Sequence, residues 1–273
     1  MKICDLHTHS NNSFDASDSV DKMCESAVNK GLYAIAITDH CEAPLLDISA
    51  DTEFGDFTVR IPKSVLDISV AKEKYGQKLK VLCGVEIGEP THNPNLTNRI
   101  YEYADFDFIL ASVHNLKGKD DFYYNDFTKE KINDILKLYF DELAETAQWD
   151  NFDSLAHLTY PLRYIVEKTG YYPDLSPYQD VIDDIYKTLI SSEKALEINT
   201  SGYSKAIGCT LPDEYQIKRY KELGGKYITL GSDAHSYEAL AQGIEKGIEL
   251  AKKCGFSHYT IFEKRIPVLI PIE

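Results

Sequence analysis

A chain of 273 residues, 43% hydrophobic and 11% aromatic, is long enough to bury a large core without disulfides or structural zinc. Its 29 Lys and Arg against 44 Asp and Glu leave a formal charge of −15, which argues against nucleic-acid partners, since binding a phosphate backbone needs a basic surface. No stretch approaches about 18 uninterrupted apolar residues, and the opening MKICDLHTHS has no apolar h-region. The expectation is therefore a cytoplasmic protein with no signal peptide and no membrane partner.

Short apolar runs bounded by Gly, Asp or Asn alternate with segments of helical period. The first strand is expected at 2–6. A helix over 17–30 follows, with Val20, Met23, Ala27 and Val28 on one face, Ser17 or Asp18 as cap and Gly31 as stop. Strands at 33–38, 81–87 and 106–113 come next, then a helix at 128–149 carried by Ile132, Leu136, Tyr139 and Leu143. Strands at 154–156, 195–199, 227–231 and 259–262 alternate with helices at 177–192, 212–223 and 237–254. This alternation predicts one α/β domain over 1–273, with a parallel sheet closed into a barrel of seven or eight strands. Long connections at 43–62, 116–127, 159–175 and 200–211 are expected over the face that bears the strands' C-terminal ends. No Gly-x-Gly-x-x-Gly or P-loop follows the first strand, which counts against nucleotide binding. The six cysteines are scattered, with no C-x-x-C pair, and fit reduced cytosolic thiols.

The eight histidines carry the chemistry. His7 and His9 follow the first strand as Asp5-Leu-His-Thr-His, and His40 follows the second as Thr-Asp39-His40. Glu86 closes the third run, His114 the fourth and His157 the fifth, while Asp233 and His235 follow the seventh as Gly-Ser-Asp-Ala-His. In a parallel barrel all these ends converge on one face. Imidazole with carboxylate suits zinc, manganese or iron. Alternate residues of an extended chain point the same way, so His7 and His9 reach one ion. Glu86, with two oxygens, is the candidate bridge between two ions. Asp5 and Asp39 sit where carboxylates orient ligand rings. His92 is read as exposed and His258 as structural.

The series His-x-His, Asp-His, Glu, His, His, Asp-x-His, running from His7 to His235, resembles the polymerase and histidinol phosphatase (PHP) family. Its layout is most similar to the members that act alone on L-histidinol phosphate in histidine biosynthesis. The resemblance implies a distorted (β/α)7 TIM-like barrel holding three divalent ions. His7, His9, Glu86 and Asp233 would hold the first, Glu86, His114 and His157 the second, and Asp15, His40 and His235 the third. Hydroxide shared by the first two ions would then attack the phosphorus of a small-molecule phosphate monoester. The proton donor to the leaving oxygen is left open among Asp233, His235 and metal-bound water. Arg163, and after it Arg60, are the expected phosphate contacts. Glu42 is expected at the mouth to receive the substrate ammonium, with Tyr160, Tyr164, Tyr171 or Phe54 against its imidazole. The rivals are phosphoesterases of the same scaffold acting on phosphotyrosine, nucleotides or cyclic diesters, an amidohydrolase, and a catalytically silent metal-binding module. The amidohydrolase would want a bridging lysine where Glu86 stands.

Overall fold

The computed structural model describes residues 2–46 and 55–273, and Phe54 lies outside them. In chain order the main elements are β1 (Cys4–Thr8), α1 (Val20–Asn29), β2 (Ala34–Ile37), β3 (His40–Glu42), α2 (Phe57–Tyr75), β4 (Lys80–Gly88), α3 (Pro94–Arg99), β5 (Phe108–Ser112), α4 (Lys129–Gln148), β6 (Ser154–Leu155), α5 (Tyr160–Thr169), α6 (Gln179–Ser191), β7 (Ala195–Asn199), α7 (Glu214–Glu222), β8 (Ile228–Gly231), α8 (Ile244–Lys253), β9 (His258–Glu263) and β10 (Ile266–Pro271).

The sheet runs β1-β2-β4-β5-β6-β7-β8, and every pair is parallel. β3 also pairs with β4, His40 opposite Glu86, so it resumes the line of β2 after a break at Thr38-Asp39. The sheet curls until β8 meets β1 at the bridge Thr8–Ala234, with His9 N–H donating to Ala234 O at 2.8 Å and Asp233 N–H to His7 O at 2.8 Å. The result is the expected distorted barrel of seven strand positions, and the apolar core shared by its strands and the surrounding helices includes Leu6, Ile35, Ile37, Ile109, Leu110, Leu196, Ile198 and Leu230.

The eighth strand candidate stands outside the barrel. β9 pairs antiparallel with β10, and Arg265 on the turn between them bonds Asp153 and, through its N–H, the carbonyl of Asp107. Those aspartates precede β6 and β5, so the hairpin covers the N-terminal end of the barrel, away from the histidines.

Helix limits follow local chemistry. Ser19, rather than Ser17 or Asp18, caps α1 by accepting from Lys22 N–H, and Gly31 at φ +72° ends the turn beyond it. The helix expected at 237–254 starts only at Ile244, behind Gly243 at φ +81°. The turns before it present the carbonyls of Tyr237, Glu238 and Leu240 to Lys30 Nζ. Two segments read as loops contain helices. α2 starts at Phe57, capped by Asp56, and carries Pro62 in its second turn. α5 starts at Tyr160, with Pro161 in the first turn, where a missing N–H costs no helical bond.

Candidate metal centre

The fold brings the strand-end residues together. His7 lies within β1 and His9 just past it, on the same side by strand alternation. Glu86 stands two residues before the end of β4, and His40 opens β3 directly beside it. His114, His157 and Asp233 each lie two residues beyond β5, β6 and β8, where the chain leaves the barrel. His157 and Asp233 take positive φ, +22° and +56°, to make that turn. His7, His9 and Glu86 are wholly buried, and His235 and Asp15 reach solvent.

Glu86 is the hub. Its Oε2 lies 3.1 Å from His7 Nε2 and 3.6 Å from His9 Nε2, and Asp233 Oδ1 lies 3.6 Å and 3.4 Å from the same two nitrogens. Its Oε1 lies 3.2 Å from His114 Nε2 and 3.0 Å from His157 Nε2. On the solvent side Asp15 Oδ2 stands 3.1 Å from His235 Nε2 and 3.6 Å from His40 Nε2. Four ligands bonded tetrahedrally at 2.0–2.1 Å would be about 3.3 Å apart. The donor spacings therefore match cages that close around a cation.

Protonation tells the same story. Burial, then the neighbouring His40 and His235, push His9 down to about 3, so it is a neutral imidazole. Its Nε2 has no hydrogen-bond partner among the described residues. Burial opposes charge on His7, yet Glu197, Glu86 and Asp233 raise its pKa well above the ordinary value. Burial would likewise raise Glu86, but His7, His114 and His40 hold it well below the usual carboxylate range. Nitrogens and carboxylates thus face one another across gaps that need positive charge, and protons and divalent cations are alternative ways to supply it.

The surroundings depart from expectation in several places. Asp5 does not orient a ring. It accepts from Ser232 Oγ and N–H and from Ala241 N–H, pinning the loop behind the site. Asp39 binds Ser10, Ser13 and Ser64 and reaches His9 only through Ser13 Oγ, 3.3 Å from His9 Nδ1. The carboxylate that meets a ligand ring directly is Glu197 of β7, with Oε1 at 2.7 Å from His7 Nδ1. Sequence reading passed over Glu197, although it is the sole charged residue of an otherwise uncharged strand, Ala195-Leu-Glu-Ile-Asn199, whose end had no ligand assigned.

Glu42, expected at the mouth, is 7% exposed and lies 3.6 Å from His40 Nδ1 and 3.5 Å from His114 Nδ1. Gly88 makes room for it, because a Cβ there would overlap the Glu42 carboxylate. Beside it, burial first and Glu42 second raise Glu89 well above the carboxylate range. Glu89 accepts from His114 N–H at 2.6 Å. Arg163 sits in α5 rather than a loop. It donates to Asp233 Oδ2 at 3.2 Å, Ser201 Oγ at 3.3 Å and Tyr164 Oη at 3.0 Å, and stacks on the Tyr160 and Tyr164 rings. Arg60, in the first turn of α2, donates to the Asn12 carbonyl at 3.0 Å. Tyr160 is buried 4.9 Å from the rings of both His114 and His157, and Tyr171 is exposed beyond α5. His92 is not exposed: its Nε2 meets Glu142 of α4 at 2.9 Å. His258 opens β9 and pairs with Ser257.

The PHP domain family matches residues 5–201. A histidinol-phosphatase of Lactococcus lactis is 30% identical over 268 residues, covering 96% of this chain and 95% of the relative. A protein of Clostridium acetobutylicum named "Probable histidinol-phosphatase" is also 30% identical, over 97% of this chain and 98% of its own length. The crystal structure of the L. lactis histidinol phosphate phosphatase, complexed with zinc, L-histidinol and phosphate, superposes with a TM-score of 0.80 at 28% identity, covering 98% of this chain and 99% of that one.

Proposed function

Because the chain belongs to the PHP domain family, and its histidinol-phosphatase relatives match it from end to end, we propose that it hydrolyses L-histidinol phosphate to L-histidinol and phosphate with divalent metal as cofactor. The observation that carries the reading is Glu86, each of whose oxygens faces a separate set of imidazole nitrogens at 3.0–3.6 Å. A catalytically silent module has no need for a fully furnished double cage.

Three ions fit the donors. His7, His9, Glu86 and Asp233 would hold one, Glu86, His114 and His157 a second, and Asp15, His40 and His235 a third. Bound there, divalent cations would make water acidic enough to attack near neutral pH and would offset charge on the transferring phosphoryl group. The protein's own groups do the rest. Burial opposes ionisation of Asp233, but His7, His9, His235 and Arg163 keep its carboxyl well below the usual range. It is therefore ionised, suited to hold a cation and unable to supply a proton. His235, with about a third of its side chain exposed, is the histidine of the third set that reaches solvent. Its Nδ1 meets the Asp233 carbonyl at 2.9 Å, which directs Nε2 toward Asp15. Arg163 presents a fixed guanidinium to the phosphate, and Arg60 is a second, outer cation. The whole chain acts as one domain. No helix among the described residues is long and apolar enough to cross a membrane, and the free thiols suit the cytoplasm.

The test is phosphate release from L-histidinol phosphate, p-nitrophenyl phosphate and phosphotyrosine, before and after chelation and Mn²⁺ or Zn²⁺ restoration. The expected result is a kcat/KM for histidinol phosphate orders of magnitude above the others, lost on chelation and restored by metal. Even turnover of all three would reject the histidinol assignment and leave a broader phosphoesterase.

Glu42, although buried beside His40 and His114, is the carboxylate we propose for the substrate ammonium. Glu42→Gln should raise KM for histidinol phosphate about tenfold, about 1.4 kcal/mol of binding, and leave p-nitrophenyl phosphate unchanged. An equal change for both substrates would show that Glu42 acts on His40 and His114 instead.

A further inference from the structure

β7 is the one barrel strand between β4 and β8 whose end sends no ligand to the centre, yet its Glu197 is 1% exposed and fully engaged. Oε1 lies 2.7 Å from His7 Nδ1, while Oε2 accepts from His157 N–H at 2.7 Å and from Asn199 Nδ2–H at 3.2 Å. β8 lies between β7 and β1, so this carboxylate must cross a strand to reach His7. It crosses over Gly231, where a Cβ would stand 2.3 Å from both Glu197 Oε1 and His7 Cβ. The missing side chain is therefore the passage.

The consequences differ for the two histidines. An imidazole that donates its Nδ1 hydrogen to Glu197 keeps a bare Nε2, and that nitrogen faces Glu86 and Asp233. His157 sits at φ +22°, a conformation that non-glycine residues rarely adopt, and the Glu197 bond to its N–H helps hold that turn. Asn199 extends the chain of bonds: its Oδ1 accepts from Ser201 Oγ at 2.6 Å, and Ser201 Oγ in turn receives Arg163 at 3.3 Å.

We infer that Glu197 is a positioning residue for the metal centre, fixing the tautomer of His7 and the backbone of His157 and so aligning ligands of two different ions with one carboxylate. The inference rests on the reading of these histidines as metal ligands. Gln cannot replace it. With its oxygen toward His7, its NH₂ opposes the N–H of His157. Turned over, its NH₂ faces His7 Nδ1 and forces the hydrogen onto Nε2, where it blocks the ligand position.

The test compares the full-length wild type with Glu197→Gln and Glu197→Ala, stripped by chelation and titrated with Mn²⁺ against a chromophoric competitor. ¹⁵N-histidine NMR of the same proteins loaded with diamagnetic Zn²⁺ reports each ring tautomer. The expected result is Mn²⁺ affinity weakened about 10- to 100-fold in Glu197→Gln, with one imidazole changed in tautomer. Glu197→Ala frees the ring and should also weaken binding. Unchanged Mn²⁺ affinity and tautomers in both variants, even with lowered thermal stability, would overturn the positioning role and leave the phosphatase reading intact. A wild type that binds no Mn²⁺ at all would overturn both.

Discussion

Glu86→Gln should lower kcat/KM for L-histidinol phosphate by about 1000-fold or more, equivalent to about 4 kcal/mol of transition-state stabilisation, and should strip the protein of more than one ion. The reason is that no other carboxylate among the described residues meets four imidazole nitrogens with its two oxygens: His7 and His9 through Oε2, and His114 and His157 through Oε1. His40 Nδ1 approaches Oε2 as well, at 3.1 Å. Gln keeps the shape but leaves one oxygen and places amide hydrogens where a cation would sit. It also removes the buried negative charge that balances the imidazoles, so the loss has a coulombic part and a coordination part. Glu86→Asp separates them, because it restores the charge on a side chain one methylene too short to reach both sets. Metal analysis after dialysis, alongside kinetics, reads both parts. If Glu86→Gln kept its ions and stayed within tenfold of the wild-type rate, the bridging role would be wrong.

How far sequence alone reached follows from which contacts topology makes inevitable. Parallel strands deliver their C-terminal ends to one face, so the gathering of His7, His9, Glu86, His114, His157 and Asp233 needed only the strand pattern. Contacts that depend on a particular gap were invisible. Glu197 reaches His7 across 190 residues of chain only because Gly231 lacks a side chain, and nothing within Ala195–Asn199 announces that gap. His92 was misjudged for the same reason, since its partner Glu142 arrives from α4 fifty residues later. The depth of Glu42 depends on Gly88 of the neighbouring strand. The two missed helices have a local cause. Proline is disfavoured in helix interiors, yet Pro161 occupies the first turn, where proline is preferred, and α2 continues through Pro62 with Ile61, Ser64, Ile68 and Ala71 buried along one side. The connection expected at 159–175 puts Arg163 on a loop, whereas the structure fixes it on a helix.

That fixing decides the second large effect. Arg163→Ala should lower kcat/KM for histidinol phosphate by about 100-fold, about 2.7 kcal/mol, and weaken inhibition by inorganic phosphate by a similar factor. The guanidinium is held on three sides, by Asp233 and Ser201 at Nη1, by Tyr164 at Nη2 and by two aromatic rings. Its Nε has no partner among the described residues and is buried, a cost that a phosphate oxygen would relieve. Little side-chain freedom remains to be lost when phosphate arrives, so the contact retains most of its strength. Arg163→Lys keeps the charge but not the planar fork, and should recover only a small part of the loss. Since Arg163 also touches Asp233, the two ways it acts must be told apart. Metal content at the wild-type level with weakened phosphate inhibition places it on the substrate. Loss of an ion with unchanged phosphate inhibition in the remaining loaded fraction would mean that Arg163 works only by holding Asp233, and the phosphate contact would have to be sought at Arg60.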